Sequence, residues 1–160
     1  MSRRKAKEPR QSGFTLLELL IVIAILGVIV TVGYPSFTHI SQSNYRTAGQ
    51  SDLMAFASAM ERHKLANYTY KAAAINGANT GQPTVFATYS PSQEPMANKR
   101  YELTICTLNA TGTQYTIKAT PVSDGIMFGN GDLYYFSDGR KAWDKNNDGI
   151  VSIDEYCWKC

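Results

Sequence analysis

The sequence has few of the residues that usually carry catalysis: two histidines, His39 and His63, and three cysteines among 160 residues. Neither histidine has another histidine or a cysteine at metal-ligand spacing, and two scattered histidines do not supply a Ser-His-Asp triad. Cys157 and Cys160 flank Trp and Lys, but a redox thiol commonly needs a helix amino terminus beside it, and the sequence stops at Cys160. We therefore expect no enzymatic activity.

Net charge gives little support for nucleic-acid binding. The chain has 16 basic and 13 acidic residues, but its first 12 residues hold five of the basic ones and one acid. Without that segment, 11 basic and 12 acidic residues remain, a net charge of −1. A nucleic-acid-binding surface is usually strongly basic, so we expect no direct nucleic-acid partner. The charged residues of the segment are Arg3, Arg4, Lys5, Lys7, Glu8 and Arg10.

A long apolar stretch follows this basic segment. Residues 14–34 include no Lys, Arg, Asp, Asn or Gln, and a helix rising about 1.5 Å per residue would span a bilayer core of about 30 Å. The exception is Glu18, which costs about 2.5–3.5 kcal/mol or more if it lies unpaired at bilayer depth. The sequence therefore predicts a transmembrane segment over residues 14–35 whose single charge needs a partner.

The residues around Gly13 carry a family resemblance. Gly13 is followed by FTLLE, which ends at Glu18, and then by the apolar run to Pro35. This order closely resembles the class III signal of type IV prepilins, over about the first quarter of the chain. An ordinary secretory signal has an apolar core of about 7–15 residues, and a simple membrane anchor leaves Gly13 and Glu18 without a role.

The resemblance implies how the chain is processed. A membrane-embedded prepilin peptidase would remove the leader, residues 1–13, by cutting between Gly13 and Phe14, and would methylate the new amino terminus. Its α-amino group, with a pKa of about 7.7–8.0 in model peptides, could neutralise Glu18 of the same chain or of a neighbouring subunit. The resemblance favours the neighbour, during filament assembly.

The rest of the chain predicts one α+β domain over residues 36–160. Apolar positions at helical spacing continue to about Leu65, and Pro35 is expected to kink the helix without necessarily ending it. Met54, Phe56 and Met60 are expected in the core. Residues 66–100 predict a long loop. Residues 101–108, 114–120 and 132–137 predict strands, and an Asp-Gly turn at 138–139 leads to a further strand at 140–143. The resemblance implies a pilin fold, in which the long helix packs on this antiparallel sheet.

Residues 144–155 match the calcium-loop pattern at every required position. Gly149 permits the sharp turn, and the loop would lack the flanking helices of an EF-hand. The alternative is a tight turn at 147–149 followed by a last strand over 150–156. If calcium binds, its oxygen ligands come from Asp144, Asn146, Asp148, the backbone carbonyl of Ile150, Ser152 and Glu155.

The three cysteines are disulfide candidates in an oxidising compartment. Three pairings are possible, each leaving one thiol over. Many pilins tie the carboxyl-terminal segment to the sheet, which would fit Cys106 bonded to Cys157 or Cys160, although the cysteine that usually precedes the third strand is absent. A local bond between Cys157 and Cys160 stays open.

The resemblance implies a non-enzymatic structural subunit, most similar to a minor pilin of a type IV pilus. Its partners would be other pilin subunits, the prepilin peptidase and the inner-membrane assembly machinery. Because positive charge beside an apolar span stays cytoplasmic, the precursor is expected in the bacterial inner membrane with its amino terminus inside, and later in the pilus at the cell surface. The alternatives are a pseudopilin of a type II secretion or DNA-uptake system, or an anchored calcium-binding or adhesive module that does not polymerise.

Overall fold

One long helix dominates the amino-terminal part of the protein. The computed structural model describes residues 13–159, apart from the side chain of Val32, so the first 12 residues and Cys160 lie outside it. Helix α1 covers Leu16–Asn67 and includes Pro35. The helix continues through Pro35, an outcome that the sequence had left open. The described part of the chain forms two units, divided between Phe37 and Thr38.

In the second unit, five antiparallel strands form one sheet in the order in which they occur in the chain. Strand β2 has the predicted ends, and β3 and β4 begin one residue later than predicted. Each strand pairs with the next, and a bulge interrupts the register of β2 and β3 between Ile105 and Thr107. The strands are β1 (Tyr89–Ser90), β2 (Tyr101–Leu108), β3 (Tyr115–Pro121), β4 (Leu133–Phe136) and β5 (Lys141–Trp143).

The core lies between the second half of α1 and one face of this sheet. Phe56 and Met60 are fully buried, but Met54 is 46% exposed, so its predicted core position is wrong. Gly49 allows the close approach of helix and sheet, because a Cβ atom there would lie 3.1 Å from the ring of Tyr101 and 3.2 Å from Leu133. Replacing Phe56 by Ala should cost about 3–5 kcal/mol of unfolding free energy.

The segment between α1 and β2 contains more structure than the sequence predicts. It has the short 3₁₀ helices Ile75–Gly77 and Met96–Asn98 besides strand β1. Asp52 of α1 fixes its middle, since the two carboxylate oxygens accept hydrogen bonds from the hydroxyl groups of Ser90 and Ser92, each at 2.6 Å. Hydrogen bonds to the Asp52 carboxylate therefore hold this loop against the helix.

Candidate functional sites

The amino end of α1 is organised around Glu18. Residues 13–15 are not helical and α1 begins at Leu16. Thr15 donates its backbone N–H and its hydroxyl to Oε2 of Glu18, at 2.9 and 2.8 Å, and accepts the N–H of Glu18 at 3.2 Å. This reciprocal arrangement is a capping box, which satisfies helix-terminal donors with a side chain. Glu18 therefore has a partner within its own chain.

Sequence reasoning missed the role of Thr15. The signal was present, because Thr followed three residues later by Glu before an apolar run is the capping-box pattern. The predicted cleavage point lies just outside the helix: Phe14 is 86% exposed, and a Cβ atom built on Gly13 meets no atom within 4 Å. Cleavage and methylation at Gly13 and Phe14 stay predictions.

The apolar part of α1 has the length and composition of a membrane span. An 18-residue window of the helix has a mean hydropathy of 2.8, and none of it is buried within the protein. Its exposed side chains include Leu16, Ile23 and Val30. An amino-terminal apolar helix of this kind suggests membrane anchoring.

The carboxyl-terminal loop is tightly wound around Asp144. This carboxylate is 2% exposed, and it accepts the N–H of Asp148 at 3.1 Å and the N–H of Gly149 at 2.9 Å. Asn146 and Asp148 make similar short-range bonds to the N–H groups two residues further on, at 3.1 and 2.8 Å. Gly149 has φ of +81°, a backbone conformation that glycine adopts without strain.

Glu155 closes the loop. Its Oε1 accepts the backbone N–H groups of Lys145 and Asn146, at 2.9 and 3.3 Å, and its Oε2 accepts the N–H of Ser152 at 3.0 Å. These bonds lower the pKa of Glu155 below its usual value, with the Ser152 N–H as the largest cause. Ser152 and Glu155 form the capping box of a 3₁₀ helix, Ile153–Glu155, so the alternative of a strand over 150–156 is wrong.

The donor set of this loop suits calcium. Carboxylate, amide, hydroxyl and carbonyl oxygens from one loop are the ligands that calcium prefers, and Glu155 already reaches the residues beside Asp144. Within residues 13–159, however, no three His, Cys, Asp or Glu side chains converge as a metal site. The oxygens are turned toward backbone N–H groups, so calcium binding at Asp144, Asn146, Asp148, Ile150, Ser152 and Glu155 stays a prediction.

The cysteines contradict both pairings that would join Cys106 to the carboxyl-terminal segment. Cys106 is exposed and free, whereas Cys157 is disulfide-bonded. Cys106 is the residue of β2 that has no partner in the register with β3, at the bulge between Ile105 and Thr107. Ile105 is buried in the core, whereas the side chain of Cys106 is exposed. A bond from Cys106 to the carboxyl-terminal segment is therefore absent. Cys160 lies outside the described residues.

Stacked aromatic and basic side chains hold the carboxyl-terminal segment instead. Arg140 lies over the rings of Phe136 and Tyr156, at 4.9 and 5.3 Å. Trp158 is contacted by Lys141 at 4.7 Å and donates its indole N–H to the carbonyl of Ala142 at 3.1 Å. Sequence reasoning did not find the contacts of Tyr156 and Trp158, because each joins the carboxyl-terminal segment to a residue 16 or 17 positions earlier in the chain.

Two family profiles match this chain. The family described as "Type IV minor pilin ComP, DNA uptake sequence receptor" matches residues 35–128, which is more than half of the chain. The prokaryotic N-terminal methylation motif matches residues 9–34, the stretch that contains Gly13 and Glu18. The two matches adjoin and together cover residues 9–128.

Curated relatives come from secretion systems. The chain is 36% identical over 88 residues to type II secretion system core protein G of Klebsiella pneumoniae, covering 55% of this chain and 58% of that protein. It is 39% identical over 61 residues to core protein G of Pectobacterium carotovorum subsp. carotovorum, covering 38% and 39%. The chain thus matches only about four- to six-tenths of the length of these relatives.

No solved structure matches the chain. The family assignment therefore rests on sequence, and the α+β architecture agrees with it, since a long apolar amino-terminal helix continues into a domain with a five-stranded antiparallel sheet. The chain belongs to the type IV minor pilin family of ComP and carries the methylation motif of prepilins.

Proposed function

We propose that this protein is a non-enzymatic minor pilin of a type IV pilus, cut between Gly13 and Phe14 and assembled through α1. The precursor lies in the inner membrane with its amino terminus in the cytoplasm. The prepilin peptidase and the assembly machinery act on it there, and it then joins other pilin subunits at the cell surface. The family supports a structural subunit, either pilin or pseudopilin.

The geometry of Glu18 is the observation that carries this proposal. Both hydrogen bonds that Thr15 donates end on Oε2, and Oε1 accepts none from the described residues. After cleavage, the amino group of Phe14 in a neighbouring subunit could bind Oε1 without displacing Thr15. Such a bond between opposite charges inside a dry apolar bundle would align two subunits along the filament axis.

Replacement of Glu18 by Val in the native host tests the proposal. The variant should insert and be cleaved normally but should be lost from sheared filaments, because the amine has no carboxylate to meet. Ile21→Val is the matched control, since it changes an exposed apolar residue of the same helix and keeps the helix apolar. Normal amounts of the Glu18→Val protein in filaments would contradict the proposal.

Binding of DNA is a second candidate function, because the matching family is described as a DNA uptake sequence receptor. The expected absence of a nucleic-acid partner is untested, and the aromatic and basic side chains around Arg140 and Lys141 give one surface where phosphates could bind. A purified carboxyl-terminal unit that shifts duplex DNA, with the shift weakened by Lys141→Ala and by added salt, would support this role.

Calcium is proposed as the ligand of residues 144–155. The ion would take oxygens of Asp144, Asn146, Asp148, Ser152 and Glu155 in place of their bonds to N–H groups, together with the carbonyl of Ile150. It would offset the charge of clustered carboxylates and fix the end of the chain. Its role would be structural.

A further inference from the structure

A cleft opens at one end of the sheet, between the turn that joins β2 to β3 and the turn that joins β4 to β5. Its volume is about 290 Å³, close to the lower end of the range of about 300–1,000 Å³ that small-molecule sites occupy. We call it the hairpin cleft. Neither the processing site nor the proposed calcium loop contributes to it. Its lining includes Thr107, Gln114, Thr116, Phe136, Asp138 and Arg140.

Three neighbouring strands form the floor of the cleft. Thr107 of β2 pairs with Thr116 of β3, which pairs in turn with Phe136 of β4. Directly paired residues of adjacent strands share one face of the sheet. Tyr115 and Ile117, on either side of Thr116, are buried in the core, so the row of three side chains lies on the opposite, outer face. With about 4.8 Å between strands, the row is about 10 Å long.

Polar groups of the cleft are available to a ligand. Within residues 13–159, no hydrogen bond uses the hydroxyl of Thr107, the hydroxyl of Thr116 or the side-chain amide of Gln114. Thr107 and Gln114 are exposed, and Thr116 is half-buried. A hydroxyl group both donates and accepts, and an amide has an acceptor oxygen and two N–H donors. The cleft therefore offers donors and acceptors side by side.

The wall of the cleft is held in place and has no net charge. Nε of Arg140 donates to Oδ2 of Asp138 at 2.8 Å, and the guanidinium lies 4.9 Å from the ring of Phe136. Among the described residues that line the cleft, Asp138 and Arg140 alone are charged, so their charges cancel. Phe136 is half-buried, which leaves part of its ring surface accessible. A wall that is ordered before binding lowers the entropic cost of binding.

We propose that the hairpin cleft binds a neutral saccharide unit of a glycan. The hydroxyl groups at the rim of a pyranose ring donate and accept, so they match the two threonine hydroxyls and the amide of Gln114. The C–H groups of the same ring form an apolar face, which packs against an aromatic surface such as that of Phe136. A cleft of this volume holds a ligand of about the size of one sugar ring.

Other classes of ligand fit the cleft less well. A peptide that adds to a sheet needs an open strand edge, whereas β2, β3 and β4 are paired with one another. A phosphate or a sugar acid needs an uncompensated cation, whereas Asp138 neutralises Arg140. The DNA-binding candidate is tested at Lys141, which does not line the cleft. The inference goes beyond the proposed function, since the cleft is complete within one copy of the chain.

Saturation-transfer NMR tests the proposal on full-length protein in a detergent that has no sugar head group. The probes are the methyl glycosides of glucose, galactose, mannose and N-acetylglucosamine, with sorbitol as a polyol that has no ring. At least one glycoside should receive saturation from the protein, and sorbitol should receive none. If no glycoside of this panel receives saturation, or if sorbitol receives as much, the proposal is wrong.

Two variants locate the binding in the cleft. Thr116→Val removes a hydroxyl and keeps the branched shape, and Gln114→Ala removes an exposed amide. Each should raise the Kd of the glycoside by about two- to tenfold, as expected for one lost hydrogen bond. Thr120→Val is the matched control, because Thr120 lies on the same strand and the same face but outside the cleft. An unchanged Kd in Thr116→Val, or an equal rise in Thr120→Val, would overturn the proposal.

Two further results separate this proposal from the others. If the glycosides do not bind and duplex DNA shifts the amide signals of Thr107 and Thr116, the cleft is a nucleic-acid site and the proposal is wrong. If wild-type protein is absent from sheared filaments but binds a glycoside, the proposed function fails and the saccharide site stands.

Discussion

The hydroxyl and the backbone N–H of Thr15 donate to the same oxygen of Glu18, Oε2, at 2.8 and 2.9 Å. The prepilin resemblance assigns no role to Thr15. The structure shows that Thr15 fixes the orientation of Glu18, the charged residue in the apolar part of the helix. Thr15 also defines where the helix begins, because the capping box ends the helical hydrogen-bonding pattern at this point.

Replacement of Thr15 by Ala should impair assembly more than insertion. The variant loses the cap, worth about 0.5–2 kcal/mol, and leaves Glu18 free to rotate away from a neighbouring amine. Thr15→Ser keeps the hydroxyl and should behave as wild type. The measurement is the ratio of protein in sheared filaments to protein in membranes. A Thr15→Ala protein with the wild-type ratio would show that the cap is dispensable.

Replacement of Gly13 by Val should leave the leader on. A Cβ atom at this position meets nothing within 4 Å, so the change should not disturb the rest of the chain, and any defect reflects recognition by the peptidase. Mass spectrometry of the amino terminus shows whether the leader is still present. Wild-type protein from its own host that still begins at Met1 would contradict the processing site.

Millimolar calcium should raise the melting temperature of the carboxyl-terminal unit. Extracellular sites with such ligands bind at about 10⁻⁴–10⁻³ M, and calcium at ten times the Kd adds about 1.4 kcal/mol of stability. Asp148→Ala should abolish the increase, while Lys145→Ala should keep it because the lysine side chain supplies no oxygen. If the melting temperature of the wild-type unit did not respond to calcium, the loop would be a turn without a calcium site.

The stability contributed by Asp138 should depend on pH. The N–H of Arg140 at the hairpin turn lowers the pKa of Asp138 below its usual 3.8, and the Arg140 side chain adds to the effect. A lowered carboxyl pKa stabilises the folded state above that usual value, and this stability is lost as pH falls through the folded-state pKa. Asp138→Asn should therefore lower the urea midpoint at pH 7 but not at pH 2.

Asp124→Asn is the control for this measurement, since Asp124 is also exposed and lies outside the hairpin. Its urea midpoint should differ little from that of the wild type at either pH. An Asp138→Asn protein that loses as much stability at pH 2 as at pH 7 would show that the loss comes from the turn geometry and not from the charge.

Alkylation of the native, unreduced protein should label Cys106 alone. Its thiol is exposed and free, whereas Cys157 is disulfide-bonded. One maleimide added per chain, removed by Cys106→Ser, is the expected result by mass spectrometry. Peptide mapping without reduction would then identify the partner of Cys157, for which Cys160 is the sequence candidate. A chain that takes up no maleimide would mean that Cys106 is bonded after all.

The sequence by itself determined the amino-terminal half of this protein. The order of Gly13, Phe14 and Glu18 before an apolar run is a local signal, and so is the helical spacing that continues past Pro35. Strand β2 could be predicted with its ends, because Tyr, Ile and Thr alternate there between turn residues. Such patterns are local, so they can be recognised without knowing which helices and strands pack together.

Contacts between distant residues were decided only by the tertiary structure. The β2 bulge left Cys106 exposed and without a partner on β3, and the fit of α1 against the sheet buried Met60 while leaving Met54 exposed. Strand β1 forms because Tyr89 and Ser90 pair with the edge of β2. Their own preference for extended geometry would not be enough. Apolar spacing shows which residues of α1 could face a core, but only the packing of helix and sheet decides which of them are covered.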